Sequence, residues 1–149
     1  MAAKTLTGAE LAQAIRADAG HSVDIGGGIY ADARYTLPTR EYVDRIMLPA
    51  FETWSKSNGL WDWKTRHDCD DKADALKVFA QQCFRHSRDT TEADGFAVWR
   101  LYYSVDADPG RGHAINAAMT DEGIVYIEPQ TAKIVSLTNE EKGSIWYAY

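Results

Sequence analysis

The stretch His67-Asp68-Cys69-Asp70-Asp71-Lys72-Ala73-Asp74-Ala75-Leu76 decides how this chain is read. It places a cysteine in the first turn of a helix predicted from about Cys69 to Phe84, with Asp68 as N-cap and Asp71 at N3. Ala73, Leu76, Phe79, Ala80 and Cys83 recur at helical spacing and mark the buried face. Cys69 falls one turn earlier on that face, so it points toward the body of the protein. Upstream of the stretch the pattern is helical; downstream it alternates as strands do.

Working back from the cysteine, Leu60-Trp61-Asp62-Trp63 is an aromatic connector whose tryptophans serve the core or one wall of a cleft. Before it, Tyr42, Val43, Ile46, Met47, Ala50, Phe51 and Trp54 predict a helix from about Arg40 to Lys56, capped by Thr39 and kinked or split at Pro49. Ser57-Asn58-Gly59 ends it. Residues 20–38 read as a loop with a short extended piece at Arg34-Leu37. Gly26-Gly27-Gly28 reads as a turn there, since no Gly-Lys-Ser/Thr follows to make a phosphate loop. The first helix begins at a capping box, Thr7 with Glu10, and ends near Gly20.

Working forward, Ser87 to Gly95 reads as loop and Phe96 to Val105 as a strand. Gly112–Met119 and Ile124–Glu128 form a hairpin about Thr120-Asp121-Glu122-Gly123. Lys133–Leu137 is a further strand, residues 138–143 a helical turn and Ile145–Tyr149 an edge strand. Helices followed by an antiparallel sheet predict an α+β fold. No repeat or linker divides residues 1–149, so one domain is expected.

The hairpin permits a register test. Centred on Asp121-Glu122, it pairs residues whose numbers sum to 243, so Ile115 faces Glu128 and His113 faces Gln130. His113, Glu128 and Gln130 then share one sheet face, with Glu128 diagonal to His113. A one-residue slip would put Glu128 on the other face. A thiol on a helix end, an imidazole and a carboxylate are the groups nucleophilic catalysis requires. The helix N-terminus and a nearby imidazolium favour thiolate. Asp68, Asp70, Asp71 and Asp74 oppose it, and if they converge on Cys69 it is an ordinary thiol.

Composition limits the alternatives. The net charge of −6 leaves no basic block, which excludes phosphate-backbone recognition and argues for no nucleic-acid partner. With a mean hydropathy of −0.41 and no apolar run near the roughly 18 residues of a membrane span, no membrane partner is expected. The N-terminus lacks a secretory signal pattern, and two cysteines separated by about 21 Å of helix cannot pair, so a reducing cytoplasmic setting is expected. The four aspartates lack the glycine and distal glutamate of a calcium loop. His67, Cys69 and His113 lack the paired spacing of a zinc site. No metal and no cofactor are expected, and oligomeric state is left open.

A cysteine at a helix start, then Gly112-His113-Ala114-Ile115-Asn116, then Glu128-Pro129-Gln130-Thr131 resembles the papain-like and transglutaminase-like cysteine enzyme superfamily. The similarity is greatest to bacterial and phage members and papain-fold toxin domains, and it spans about Trp61 to Ile134. It implies a papain-like core, with the cysteine helix packed on the sheet. It implies Cys69 as nucleophile, His113 as base and Glu128, with Gln130, as orienter. Trp61, Trp63, His67 and Asn116 would line the substrate side, and a residue from Trp61 to His67 would share the oxyanion hole with the Cys69 N–H. The chain departs from the pattern in having Glu128 where aspartate is commoner and no glutamine upstream. The implied function is a cysteine-dependent hydrolase or acyl-transferase acting on an amide, thioester or isopeptide carbonyl of a protein or peptide. The alternative is a catalytically silent module on the same fold, a phage or mobile-element protein that engages a host protein.

Overall fold

Thr7 ends strand β1 (Thr5–Thr7) and caps helix α1 (Gly8–Ala19) in the computed structural model, which describes residues 4–64, 67–86 and 93–149. The Thr7 hydroxyl accepts from the Glu10 amide at 3.2 Å, and the Glu10 carboxylate accepts from the Thr7 amide at 2.8 Å. Both orphan N–H groups of the expected capping box are thereby satisfied. Gly20 closes the helix at φ 76°, a left-handed position that glycine takes without Cβ strain.

The segment expected to be loop is more structured. It holds β2 (Asp24–Ile25), a 3₁₀ turn (Gly27–Ile29) and β3 (Arg34–Thr36). The next helical run keeps right-handed dihedrals through α2 (Arg40–Tyr42), a π-helical stretch (Val43–Met47) and α3 (Leu48–Ser57). Pro49 does not split it. The wider π turn comes just before, and Pro49 stands in the first turn of α3, where its missing N–H breaks no α-helical bond. Helix α4 (Cys69–His86) follows, starting at the expected cysteine. Of the expected loop from Ser87 to Gly95, residues 87–92 lie outside the described residues.

The strand expected over Phe96–Val105 breaks at Ala97. Its first part, β4 (Gly95–Phe96), pairs parallel to β3, and its second, β5 (Val98–Ser104), enters the main sheet. Strands β6 (Gly112–Thr120) and β7 (Gly123–Glu128) form the expected hairpin, with Asn116 opposite Ile127 and Ala118 opposite Val125. Those pairs sum to 243, the register read from the turn. Strand β8 (Lys133–Val135), helix α5 (Asn139–Gly143) and strand β9 (Tyr147–Ala148) complete the chain.

Among the described residues two sheets result, β1-β3-β4 and β2-β9-β5-β6-β7-β8. The class is α+β, as expected, but the sheets are mixed. β2 runs parallel to β9 and β3 parallel to β4, so a wholly antiparallel sheet is corrected. Nor is β9 an edge strand, because β2 covers it. Alternation along β5–β7 divides the core between the two faces of the main sheet. Trp99, Leu101, Ile115 and Ala117 pack with Leu11 and Ile15 of α1. Val98, Ala118 and Ile127 pack with Met47, Phe51, Leu76 and Ala80. Leu76 is wholly buried there, and truncating such a leucine costs about 2–5 kcal/mol. This second layer seats α4 and hence Cys69.

Candidate functional site

Cys69 is half-buried, with the backbone N–H of Ala114 near enough to favour its thiolate. That amide belongs to the residue after His113, so helix α4 and strand β6 meet at the cysteine. Beyond the paired part of the hairpin, His113 Nε2 lies 2.7 Å from Glu128 Oε2, with the two side chains 18% and 19% exposed. The second Glu128 oxygen, Oε1, accepts from the Gln130 backbone N–H at 3.0 Å. Gln130 thus orients Glu128 through its main chain and not through the side-chain amide expected to face His113. The ring of Tyr103 flanks His113, centroid to centroid 6.0 Å.

The aspartates converge. Asp68, Cys69 and Asp70 bring one ligand-type atom each within 4.8 Å of one another. Burial pushes the Cys69 thiol above its ordinary value; the Ala114 N–H pulls it down in part, and Asp68 and Asp70 push it up again. The two carboxyl groups share a hydrogen bond, which raises Asp68 and lowers Asp70. Asp71 accepts instead from the Asp68 backbone N–H at 3.4 Å, and Asp74 pairs with Arg100 at 2.7 Å. Cys83, the other thiol, is also pushed up by burial. Cys69 is therefore held as a neutral thiol, chiefly by burial and further by Asp68 and Asp70.

The flanking residues divide. Trp63 is 58% exposed, whereas Trp61 is partly buried, with the Lys56 ammonium 5.0 Å over its ring. His67 closes a backbone bridge to Lys64, and its Nε2 is buried with no hydrogen-bond partner among the described residues. Asn116, expected on the substrate side, is wholly buried. Its amide donates to the carbonyls of Ala73 at 2.8 Å and Trp99 at 3.3 Å. It ties α4 to the sheet and does not face a cleft, because the β6 alternation turns it under the helix.

Two features escape the sequence reading. Lys72 is only 3% exposed, and its ammonium donates to the carbonyls of Leu60 at 3.0 Å and Trp61 at 2.5 Å, which pins the aromatic connector to α4. Its signal was positional: Lys72, Leu76 and Ala80 share one helical stripe. Trp146 stacks on Tyr102 at 5.9 Å and lies against Gly112, whose added Cβ would be 3.4 Å from the indole. It forms an exposed aromatic wall at the start of β6, supplied by a segment with no sequence link to the site. Cavities of about 190 Å³ beside Tyr126 and 180 Å³ beside Lys77 open elsewhere and contain none of the expected site residues.

No protein-family model and no curated protein matches the sequence. Solved structures do match. One is Polyporus squamosus lectin bound to the human-type influenza-binding epitope Neu5Acα2-6Galβ1-4GlcNAc, at 17% identity and TM-score 0.69, over 97% of this chain and 49% of that one. Another is a PSL1a–E64 complex, at 19% identity and TM-score 0.65, over 97% of this chain and 50% of that one. The chain spans about half the length of these neighbours, and at such identities the likeness establishes the fold alone.

These neighbours correct the resemblance drawn from the sequence. The neighbours include a lectin and no structure named as a papain-like or transglutaminase-like enzyme, so the papain-like core is not supported. The hydrolase or acyl-transferase function and its protease-like and transglutaminase-like descriptions fall with it. Burial of Cys69, with Asp68 and Asp70 adding to it, gives a physical reason, since together they hold back the thiolate that such chemistry needs. As to setting, no helix among the described residues is long and apolar enough to cross a membrane.

Proposed function

We propose that this chain is a binding module that holds an extended protein or peptide segment at the junction of α4 and the β6–β7 hairpin, without chemical turnover. The observation that carries the reading is the half-buried His113–Glu128 pair at the end of the hairpin, with Cys69, a thiol pushed up chiefly by burial, at the start of α4. Glu128 and His113 offer hydrogen bonds to a main chain, while Trp63 and Trp146 offer exposed apolar surface. Aromatic anchors around a hydrogen-bonding floor are the usual make-up of a recognition surface. His113 and Glu128 are thus read as the ligand contact and Gln130 as its support, with Cys69 outside it.

The lectin neighbour favours one second reading, in which the ligand is a glycan. Neu5Acα2-6Galβ1-4GlcNAc is the ligand of the first lectin, and only half of that chain corresponds to this one.

A displayed peptide library selected on the protein tests the main reading, followed by calorimetry with a recovered peptide. Cys69→Ala should bind within about twofold of the parent, whereas Trp63→Ala with Trp146→Ala should weaken binding at least tenfold, about 1.4 kcal/mol. The peptide should be recovered intact. Cleavage or acyl transfer by the parent but not by Cys69→Ala would overturn the reading. Saturable binding of the sialylated trisaccharide, lost in the same tryptophan variant, would move the ligand to the glycan class.

A further inference from the structure

The Gly26-Gly27-Gly28 run has no part in the site above, yet it borders a cavity. About 180 Å³ is enclosed by Leu11, Ile29 and Val98 on an apolar floor, with Gly28, Asp32, Tyr35, Lys77, Gln81 and Tyr149 around it. That is room for about six waters and far below a drug-sized pocket. A Cβ on Gly28 would come within 3.0 Å of Lys77 Nζ and of the Tyr149 ring, so glycine at this position keeps the space open.

The polar groups around the cavity fall into two kinds. Gln81 is used up: its amide donates to the Phe96 carbonyl at 3.2 Å and accepts from the Phe96 N–H at 3.1 Å. Tyr35 is used up as well, donating to the Gly28 carbonyl at 3.0 Å and accepting from the Asp32 N–H at 3.4 Å. These bonds fix the rim. The two charged side chains are different. Lys77 Nζ lies 4.0 Å over the face of Tyr149, and Asp32 stands at another part of the wall. Among the described residues neither is in an ion pair. Burial pushes Lys77 down, partly offset by Asp74 and Asp32, and pushes Asp32 up, helped by Asp94 and partly offset by Lys77, so neither charge is closed off by a direct ion pair. Lys77, Gln81 and Tyr149 also line a wider groove of about 480 Å³, which gives an entry path.

We propose that this cavity binds a small zwitterion of amino-acid size, with its carboxylate on the Lys77 ammonium and its ammonium on Asp32. A cation alone would meet Lys77, and an anion alone would meet Asp32. A molecule bearing both charges satisfies the two walls at once and leaves its short carbon chain on Leu11, Ile29 and Val98. The Tyr149 ring, already holding the lysine, closes one side.

The test is an amide-resolved NMR titration of the intact chain with straight-chain amino acids from glycine to 6-aminohexanoate, using acetate and methylammonium as single-charge controls. One chain length should shift the Gly28, Asp32 and Lys77 signals saturably, and the controls should bind at least about tenfold more weakly, the worth of one charge-assisted hydrogen bond. Lys77→Met and Asp32→Asn should each weaken that binding at least about tenfold while the melting temperature stays at the parent's. Gly28→Ala should abolish it. Absence of any saturable shift on the parent protein overturns the proposal, and so does binding that survives Lys77→Met. Should a variant misfold, the comparison of zwitterion with single-charge controls on the parent still decides.

Discussion

Asp70→Asn tests whether the helix-start carboxylates keep Cys69 a thiol. An Asp70 carboxylate oxygen and the Cys69 sulfur lie within 4.8 Å of each other. In water-like surroundings a full charge at that separation is worth about 0.9 kcal/mol. That corresponds to a fall of about 0.6 unit in the thiol pKa and a roughly fourfold larger thiolate fraction. The parent thiol starts from an ordinary value of 9.0 and is pushed above it, so less than about 1% is ionised at pH 7. The assay is alkylation by iodoacetamide as a function of pH, with the Cys69 and Cys83 peptides quantified separately by mass spectrometry. In the parent both thiols should react slowly at pH 7, with inflections above pH 9. In Asp70→Asn the Cys69 inflection should move down by about 0.6 unit, and its rate at pH 7 should rise only about twofold, because a less basic thiolate is a weaker nucleophile. Cys83 should not move. Raising salt to 1 M, where the screening length is about 3 Å, should shrink the difference between parent and variant. A parent Cys69 that labels selectively with an inflection at or below pH 7 would refute the reasoning, since the imidazole would then have overcome the carboxylates. An unchanged profile in Asp70→Asn would show that burial alone sets the thiol.

Lys72→Met keeps the buried stem but removes two charge-assisted bonds to Leu60 and Trp61; after the relief of ammonium desolvation, a net loss of about 1–3 kcal/mol is expected in urea unfolding. Burial lowers the Lys72 pKa from 10.5, so between the folded and unfolded values the unfolded chain holds more protons, and parental stability relative to Lys72→Met should rise with pH across a window ending near 10.5. An equal pH dependence in the two proteins would contradict this. Gly8→Ala should destabilise by about 1–3 kcal/mol although alanine favours helices, because its Cβ would fall 2.6 Å from the Ile29 carbonyl oxygen; a raised melting temperature would show that this contact yields.

The parts of the fold legible in the sequence are those encoded by neighbours along the chain. Thr7 and Glu10 stand three residues apart and cap α1 whatever the rest does. The two-residue turn at Asp121-Glu122, with alternation on both sides, is enough to set the hairpin register. That register puts His113 and Glu128 on one face, and they meet at 2.7 Å. The helix that begins at Cys69 is local in the same sense. Long-range choices were not legible. Nothing within a few residues of Tyr147 says that β9 will enter between β2 and β5, or that β2 will run parallel to it. Such pairings depend on which distant edges are left to be satisfied. Trp146 reaches Gly112 only through that insertion, and Tyr149 reaches Gly28 and Lys77 the same way.

The opening stretch divides along the same line. Its spacing by itself determined a helix with a cysteine in the first turn and four acidic neighbours. Whether those neighbours spread or converge depends on where the helix end meets the sheet, and only the tertiary structure decided that. Docking on β6 partly buries the thiol, turns Asp74 to Arg100 and leaves a carboxylate oxygen of Asp68 and of Asp70 within 4.8 Å of the sulfur. A charge effect that falls off over a few ångströms cannot be read from spacing along the chain, because the chain sets which groups are near and the fold sets how near.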